Sequence, residues 1–254
     1  PRGLGRYDTS FSCEYKYVPY AHCRAPGAGK HLLSCESAHH TYDLARLRPE
    51  DGSLPNTREI FDRKDIFMDK HIRVPMDKET AKTLRSGDYV YLTGTVYTAR
   101  DAAHKRLDET IRKGGELPFD INGQVIYYMG PSPAREGRPI GSAGPTTASR
   151  MDKYTPRLLD LGMGAMIGKG KRSPEVIDAV VRNQAVYFAA VGGAGALLSK
   201  CITSSEVIAY DDLGTEAIRR LEIEDFPAIV VIDSQGSNLY ETAAEEYRRT
   251  EDEE

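Results

Sequence analysis

The chain has 254 residues, 40% of them apolar and 28% charged, and a formal net charge of −4. This balance excludes collagen-like, fully disordered and membrane-embedded classes, and no apolar run approaches the ~20 residues of a spanning helix. The mild negative charge argues against a broad electrostatic grip on nucleic acid.

Residues 1–67 hold neither a helical nor a strand period for long. Pro19, Pro26, Pro49 and Pro55 break the segment, and four of the six histidines (His22, His31, His39, His40) fall in it. It reads as a poorly ordered N-terminal extension. Three of the four cysteines lie there too, as Cys13, Cys23 and Cys35, with Cys201 far downstream. That is too sparse for a disulfide scaffold. The spacing also lacks the close ligand pairs of a zinc site, so the bland reading is a set of unrelated thiols. Gly27-Ala28-Gly29-Lys30 resembles a phosphate loop only in part. Arg24 stands where that loop needs its first glycine, and His31 where it needs a hydroxyl. Pro1-Arg2-Gly3 opens no apolar targeting segment, so a cytoplasmic location is the default expectation.

From Met68 the pattern becomes that of a packed domain. Met68–Pro75 opens as a short strand, and residues 82–88 turn into a β-branched and aromatic strand, Tyr89–Tyr97. Thr98 and Asp101 bracket a helix start; Ala102, Ala103, Leu107 and Ile111 form its apolar stripe, and Gly114-Gly115 ends it. Val125–Met129 is a second strand, and residues 131–145 read as loop. A helix near Thr155–Leu161 and a strand Ala165–Ile167 follow. Ser173 with Pro174 is a strong helix start, and Val176, Ile177, Val180 and Val181 are expected to point inward. Ala185–Val191 reads as a buried strand, Gly192–Gly195 as a turn and Ala196–Lys200 as a helix. Strands near Val207–Tyr210 and Ala228–Asp233 close the domain, and residues 241–254 read as a solvated charged tail. Alternating strands and helices predict an α/β architecture.

Three segments put a cation or a hydroxyl where a strand or loop meets a helix. Thr98–His104 carries Arg100 and His104, four apart and so on one helix face. Gly144–Asp152 is a turn with Thr146, Thr147 and Arg150, and Gly168-Lys169-Gly170 sets a lysine between two glycines. Each has an ordinary explanation: a surface ion pair for Arg100, a cap for the threonines, a solvated turn for Lys169. Gly192–Gly195 suits an anion at a helix N-terminus, but a tight strand–helix joint explains it equally well. Together, two arginines, a lysine and threonine hydroxyls suit a small dicarboxylate, because guanidinium binds carboxylate through two parallel hydrogen bonds.

In this order the segments resemble the β subunit of the class I fumarate hydratase and L-tartrate dehydratase family, which is also the C-terminal domain of one-chain class I fumarases. The matching runs are Leu92-Thr93-Gly94, Thr98–Asp101 with His104, Gly130-Pro131, Gly144–Thr147 with Arg150-Met151, and Gly168-Lys169-Gly170. Tyr187-Phe188, Gly192–Ala196 and Asp225–Ala228 continue the resemblance to Asn238. It implies a swivelling β/β/α domain of the iron–sulfur hydro-lyase type, spanning about residues 68–240.

The reaction implied is reversible hydration of fumarate to malate. Tartrate dehydration is the alternative within the class, and a non-catalytic binding protein of the same fold is the alternative outside it. The resemblance further implies a [4Fe–4S] cluster whose ligands come from a partner α subunit, with none from this chain, and a hetero-oligomer of two α and two β chains. Arg100, Arg150 and Lys169 would hold the substrate carboxylates. Thr146 would lie near the reacting carbon as candidate base. Asp101 and His104 would support them, and Gly192 and Gly193 would shape the pocket floor.

Overall fold

A computed structural model describes residues 70–246, and side chains as far as residue 243. All of them fall in the unit Phe61–Glu254. The expectations for residues 1–67, Cys13, Cys23, Cys35 and the end of the charged tail lie outside the described residues.

The described chain is a mixed α/β structure on one sheet of seven strands. The strands are β1 (Lys70–Val74), β2 (Tyr89–Thr98), β3 (Val125–Tyr127), β4 (Ala165–Gly168), β5 (Val186–Ala189), β6 (Ile202–Ala209) and β7 (Ile218–Ile232). The helices are α1 (Lys78–Thr83), α2 (Asp101–Arg112), α3 (Thr155–Asp160), α4 (Pro174–Asn183), α5 (Gly195–Leu198) and α6 (Leu239–Glu246). None of these helices is long and apolar enough to cross a membrane.

Strands β1 to β5 run parallel as neighbours. Strand β7 runs antiparallel to β5 on one side and to β2 on the other, so β2, β3, β4, β5 and β7 form a closed circuit. Two strands hang on it, β1 beside the first half of β2 and β6 beside the first half of β7. Closure leaves two faces, and the period of two along each strand supplies residues to both. Val90, Leu92, Val125, Tyr127, Ile167, Val186, Phe188 and Phe226 fill the inside. Ile126, Tyr128, Met166 and Tyr187, the alternate positions, face Ala103 and Leu107 of α2, Leu158 of α3, and Val176 and Val180 of α4.

Several expectations are corrected. Strand β7 starts ten residues before Ala228, and β6 five before Val207. Charged Arg219, Arg220, Glu222 and Glu224 mask the strand pattern; Arg220, Glu222 and Glu224 alternate with buried Leu221 and Ile223 on the less buried side of the β6–β7 hairpin, and Arg219 is half-buried. Helix α1 is not among the expected elements and overlaps the turn read over residues 82–88 at Lys82-Thr83; it buries only Ala81, and Asp77 caps it by accepting the Thr80 N–H at 2.7 Å. Val181 is exposed, and Ala179 takes its place on the inward stripe of α4. Residues 241–246, read as the start of a solvated tail, continue helix α6.

Candidate active site

The predicted site residues gather where the parallel strands end. Arg100 follows β2, Gly130 follows β3, Lys169 follows β4 and Gly192 follows β5. In parallel α/β sheets, open or closed, ligands sit at this end because loops and helix N-termini converge there.

Arg100 is the N-cap of α2 and has no side-chain capping bond of its own. Glu216, from the loop before β7, caps the helix instead, its Oε2 accepting the Ala102 N–H at 2.8 Å. A carboxylate there also complements the positive end of the helix. Its Oε1 lies 3.6 Å from Arg100 Nη2, and Asp101 Oδ2 lies 3.9 Å from Arg100 Nε. Arg100 Nε and Asp101 Oδ2 are buried without hydrogen-bond partners among the described residues. The Arg100 side chain passes over Gly130, where a Cβ would stand 2.9 Å from its Cδ and Nη1. Asp101 Oδ1 accepts a hydrogen bond from Arg150 Nε at 2.8 Å, so one carboxylate bridges the two arginines. The surface ion pair that offers an ordinary explanation of Arg100 is therefore present in part, at longer range than a hydrogen bond.

The loop carrying Thr146 is tied down on three sides. Tyr127 donates its hydroxyl to Ala143 O at 2.5 Å, Ala143 N–H donates to Gly195 O at 3.0 Å, and Thr146 N–H donates to Tyr128 O at 2.8 Å. Lys169 joins the same loop: its N–H donates to Thr146 O at 3.2 Å, and its carbonyl accepts the Ala148 N–H at 2.8 Å. Thr146 and Lys169 are thus held by the backbone ladder, while the Thr146 hydroxyl and the Lys169 ammonium make no hydrogen bond or ion pair among the described residues. Lys169 and Arg150 are exposed.

Gly192 borders the Lys169 stem, since a Cβ there would lie 3.5 Å from Lys169 Cδ. Gly193 is exposed and turns the chain at φ +85°, and an added Cβ there would meet nothing within 4 Å. The close approach falls instead to Gly195, where a Cβ would stand 2.7 Å from Gly144 N.

His104 is fully buried on α2. Its Nδ1 lies 2.9 Å from Arg100 O, and a carbonyl only accepts, so Nδ1 carries the proton and Nε2 is bare. Nε2 has no partner among the described residues. Burial dominates and lowers its pKa to about 4; the bond to Arg100 opposes this, Arg172 adds to it and Asp101 opposes it. The imidazole is therefore neutral near pH 7 and supports Arg100 by position, with no charge to offer. Below pH 6.5 the unfolded chain takes up a proton that the folded chain refuses, so stability falls with pH from 6.5 to about 4. The expected loss is on the order of 3 kcal/mol by the ~1.4 kcal/mol per pH unit of a single site. Urea unfolding of His104→Gln across that range should show the acid slope reduced by that amount; an unchanged slope would contradict the assignment.

Sequence reasoning missed Glu216, Asp152, Arg172 and Tyr128. Arg172 is a buried guanidinium paired with Asp152 at 2.7 Å beside the Lys169 turn. Nothing in the sequence marks a charged residue as buried. Glu216 lies more than a hundred residues from the Ala102 N–H it meets, so no local signal existed.

The described residues do not fit an iron–sulfur cluster. They contain no group of three or more His, Cys, Asp or Glu side chains able to hold a metal. Cys201 is the one cysteine among them, and burial, with Asp225 adding, pushes its thiol away from the thiolate that binds iron. A cavity of about 390 Å³ opens among Pro75, Asp77, Asn122, Met163 and Gln184, at the opposite ends of the strands.

The structure thus defines a mixed α/β domain that carries an open cluster of cations on the loops following its parallel strands. Comparison with known proteins makes this specific. The model of the fumarase C-terminus family matches residues 43–243, and the chain belongs to that family. It is 44% identical over 153 residues to the anaerobic class I fumarate hydratase of Escherichia coli, covering 59% of this chain and 28% of that protein. It is 38% identical to fumarate hydratase 2 of Leishmania major, covering 66% and 30% respectively. A Methanocaldococcus jannaschii protein named as a putative L(+)-tartrate dehydratase subunit beta is 37% identical, with 65% of this chain and 88% of that protein covered. The chain spans less than a third of the fumarate hydratases it matches, but nearly all of the β-subunit relative.

Proposed function

We propose that this chain is the substrate-holding half of a hydro-lyase that interconverts malate and fumarate, a swivelling β/β/α domain working in the cytoplasm with a cluster-bearing α subunit. Arg100, Arg150 and Lys169 hold the two carboxylates of the substrate. Thr146 stands at the carbon that loses its proton. Asp101 and His104 keep Arg100 and Arg150 in place, and Gly192 leaves room for the Lys169 stem. Dehydration needs a base for the proton on one carbon and an acceptor for the hydroxide leaving the next. The described residues offer groups suited only to the first of these. The [4Fe–4S] cluster, held by the partner, would supply Lewis acidity for the second. A threonine hydroxyl is a poor base at neutral pH, and neighbouring cations favour its alkoxide.

The observation that carries the reading is the joining of Arg100, Asp101 and Arg150, and of Thr146 and Lys169, on one open end of the sheet. An open cationic face suits a second chain that closes over it. Coverage of 88% of a protein named as a β subunit favours a two-chain enzyme, for which two α and two β chains are our proposal, and the same name supports L-tartrate as the alternative substrate. The test is anaerobic co-expression with the candidate α chain and assay with malate, fumarate and tartrate. Turnover by the pair, with neither chain active alone, is expected. Turnover by this chain alone, or none of the three substrates used by a cluster-loaded pair, overturns the reading.

A further inference from the structure

Arg172 lies two residues beyond Gly170 and just before the start of α4, and its side chain is completely buried. Its Nε donates to Asp152 Oδ1 at 2.7 Å, Nη2 to Thr155 Oγ1 at 2.8 Å and Nη1 to Met166 Sδ at 3.1 Å. Its Cζ lies 5.3 Å from the ring centre of Tyr128 and 5.0 Å from that of Tyr187, contacts that strengthen when water is excluded.

Four of these partners, Asp152, Tyr128, Tyr187 and Thr155, lead to a loop of the candidate site. Asp152 follows the turn that carries Arg150, and its second oxygen accepts the Ser173 N–H at 2.8 Å. The Tyr128 carbonyl accepts the Thr146 N–H at 2.8 Å. Tyr187 donates its hydroxyl to Gly170 O at 2.9 Å, one residue from Lys169. The Thr155 hydroxyl donates to Met151 O at 3.0 Å, which uses its only proton, so the Tyr128 hydroxyl 3.1 Å away donates to it.

We propose that Arg172 is a positioning residue: one buried guanidinium that sets the loop of Thr146 and Arg150 and the turn of Lys169 at a fixed distance from each other. The inference rests on the hydro-lyase reading and adds to it the element that holds the two halves of the substrate grip in register. A buried ion pair is a weak source of stability, because desolvation of both charges offsets their attraction; apolar residues of like volume often serve the fold as well. Apolar residues cannot bond two loops at fixed angles. The planar fork of Arg172 does so, and lysine, a point charge on a flexible stem, cannot reproduce it.

The test uses the reconstituted enzyme. Arg172→Lys should keep its thermal midpoint within a few degrees and its association with the α chain, while kcat/KM falls on the order of 10- to 100-fold, the scale of an ångström's misplacement in a site. In Arg172→Ala, added ethylguanidinium should restore turnover and ethylammonium should not. Tyr187→Phe, which removes only the bond to Gly170, should give a smaller fall and serves if Arg172→Ala does not fold. Wild-type kcat/KM in both Arg172→Lys and Tyr187→Phe overturns the inference. So does a loss that matches only the loss of folded protein. Absence of turnover by the loaded wild-type pair overturns the hydro-lyase reading itself, and this inference with it.

Discussion

Replacing Arg150 by alanine is expected to lower kcat/KM of the assembled enzyme by about 30- to 900-fold, the kinetic equivalent of the ~2–4 kcal/mol lost when one charge-assisted contact to developing charge is removed. Arg150 is half exposed, and its one described bond is from Nε to Asp101 at 2.8 Å. No hydrogen bond from its terminal nitrogens is seen among the described residues, which suits a bidentate grip on carboxylate. Its removal opens no cavity in the core and leaves Asp101 partly in water, so folding and subunit association should survive. Steady-state kinetics with thermal unfolding of the same sample separates the two effects. Full turnover by Arg150→Ala removes this arginine from the substrate grip. Arg150→Lys should recover only part of the loss, since it keeps the charge and loses the fork.

The second large effect is structural. At Gly94, β2 passes from its neighbour β1 to its neighbour β3, opposite an irregularity in its pairing with β7. The glycine adopts φ +133°, and a Cβ there would stand 1.9 Å from Val74 O. Gly94→Ala must therefore strain its own backbone and push β1 aside. Backbone strain costs about 1–3 kcal/mol and forced displacement a similar amount. The sum, on the order of 2–6 kcal/mol, is comparable with the whole stability of many domains. The urea midpoint should fall without a change in slope. Gly114→Ala is the control: φ is +69°, but a Cβ would meet nothing within 4 Å, so only turn strain of about 1 kcal/mol is expected. Equal effects at the two glycines would remove the steric argument.

Strands β3 to β5 were legible because parallel strands covered on both faces read as continuous apolar runs, as in Val125–Tyr127 and Val186–Ala189, and β2 was legible from its β-branched and aromatic residues. Helix α4 was legible from Ser173-Pro174 and its stripe. Strand β7 was not, because its first half is a half-exposed hairpin arm where Arg219, Arg220 and Glu222 are at home. Its pairing with both β2 and β5, which closes the circuit, joins residues more than a hundred positions apart in one case and about forty in the other. No local pattern carries that information.

The sequence by itself determined the family and the alternating α/β plan, and it singled out the cations and hydroxyls proposed for the site, because residue type and order along the chain are local facts. The tertiary structure decided which carboxylates restrain those cations. Asp101 bridges Arg100 and Arg150, Glu216 caps the helix that Arg100 begins, and Asp152 holds Arg172 beneath the loops. It also decided that His104 is neutral and that Gly195, rather than Gly193, lets two loops touch. Burial and pairing depend on what the rest of the chain brings to a residue, and only the folded arrangement brings it.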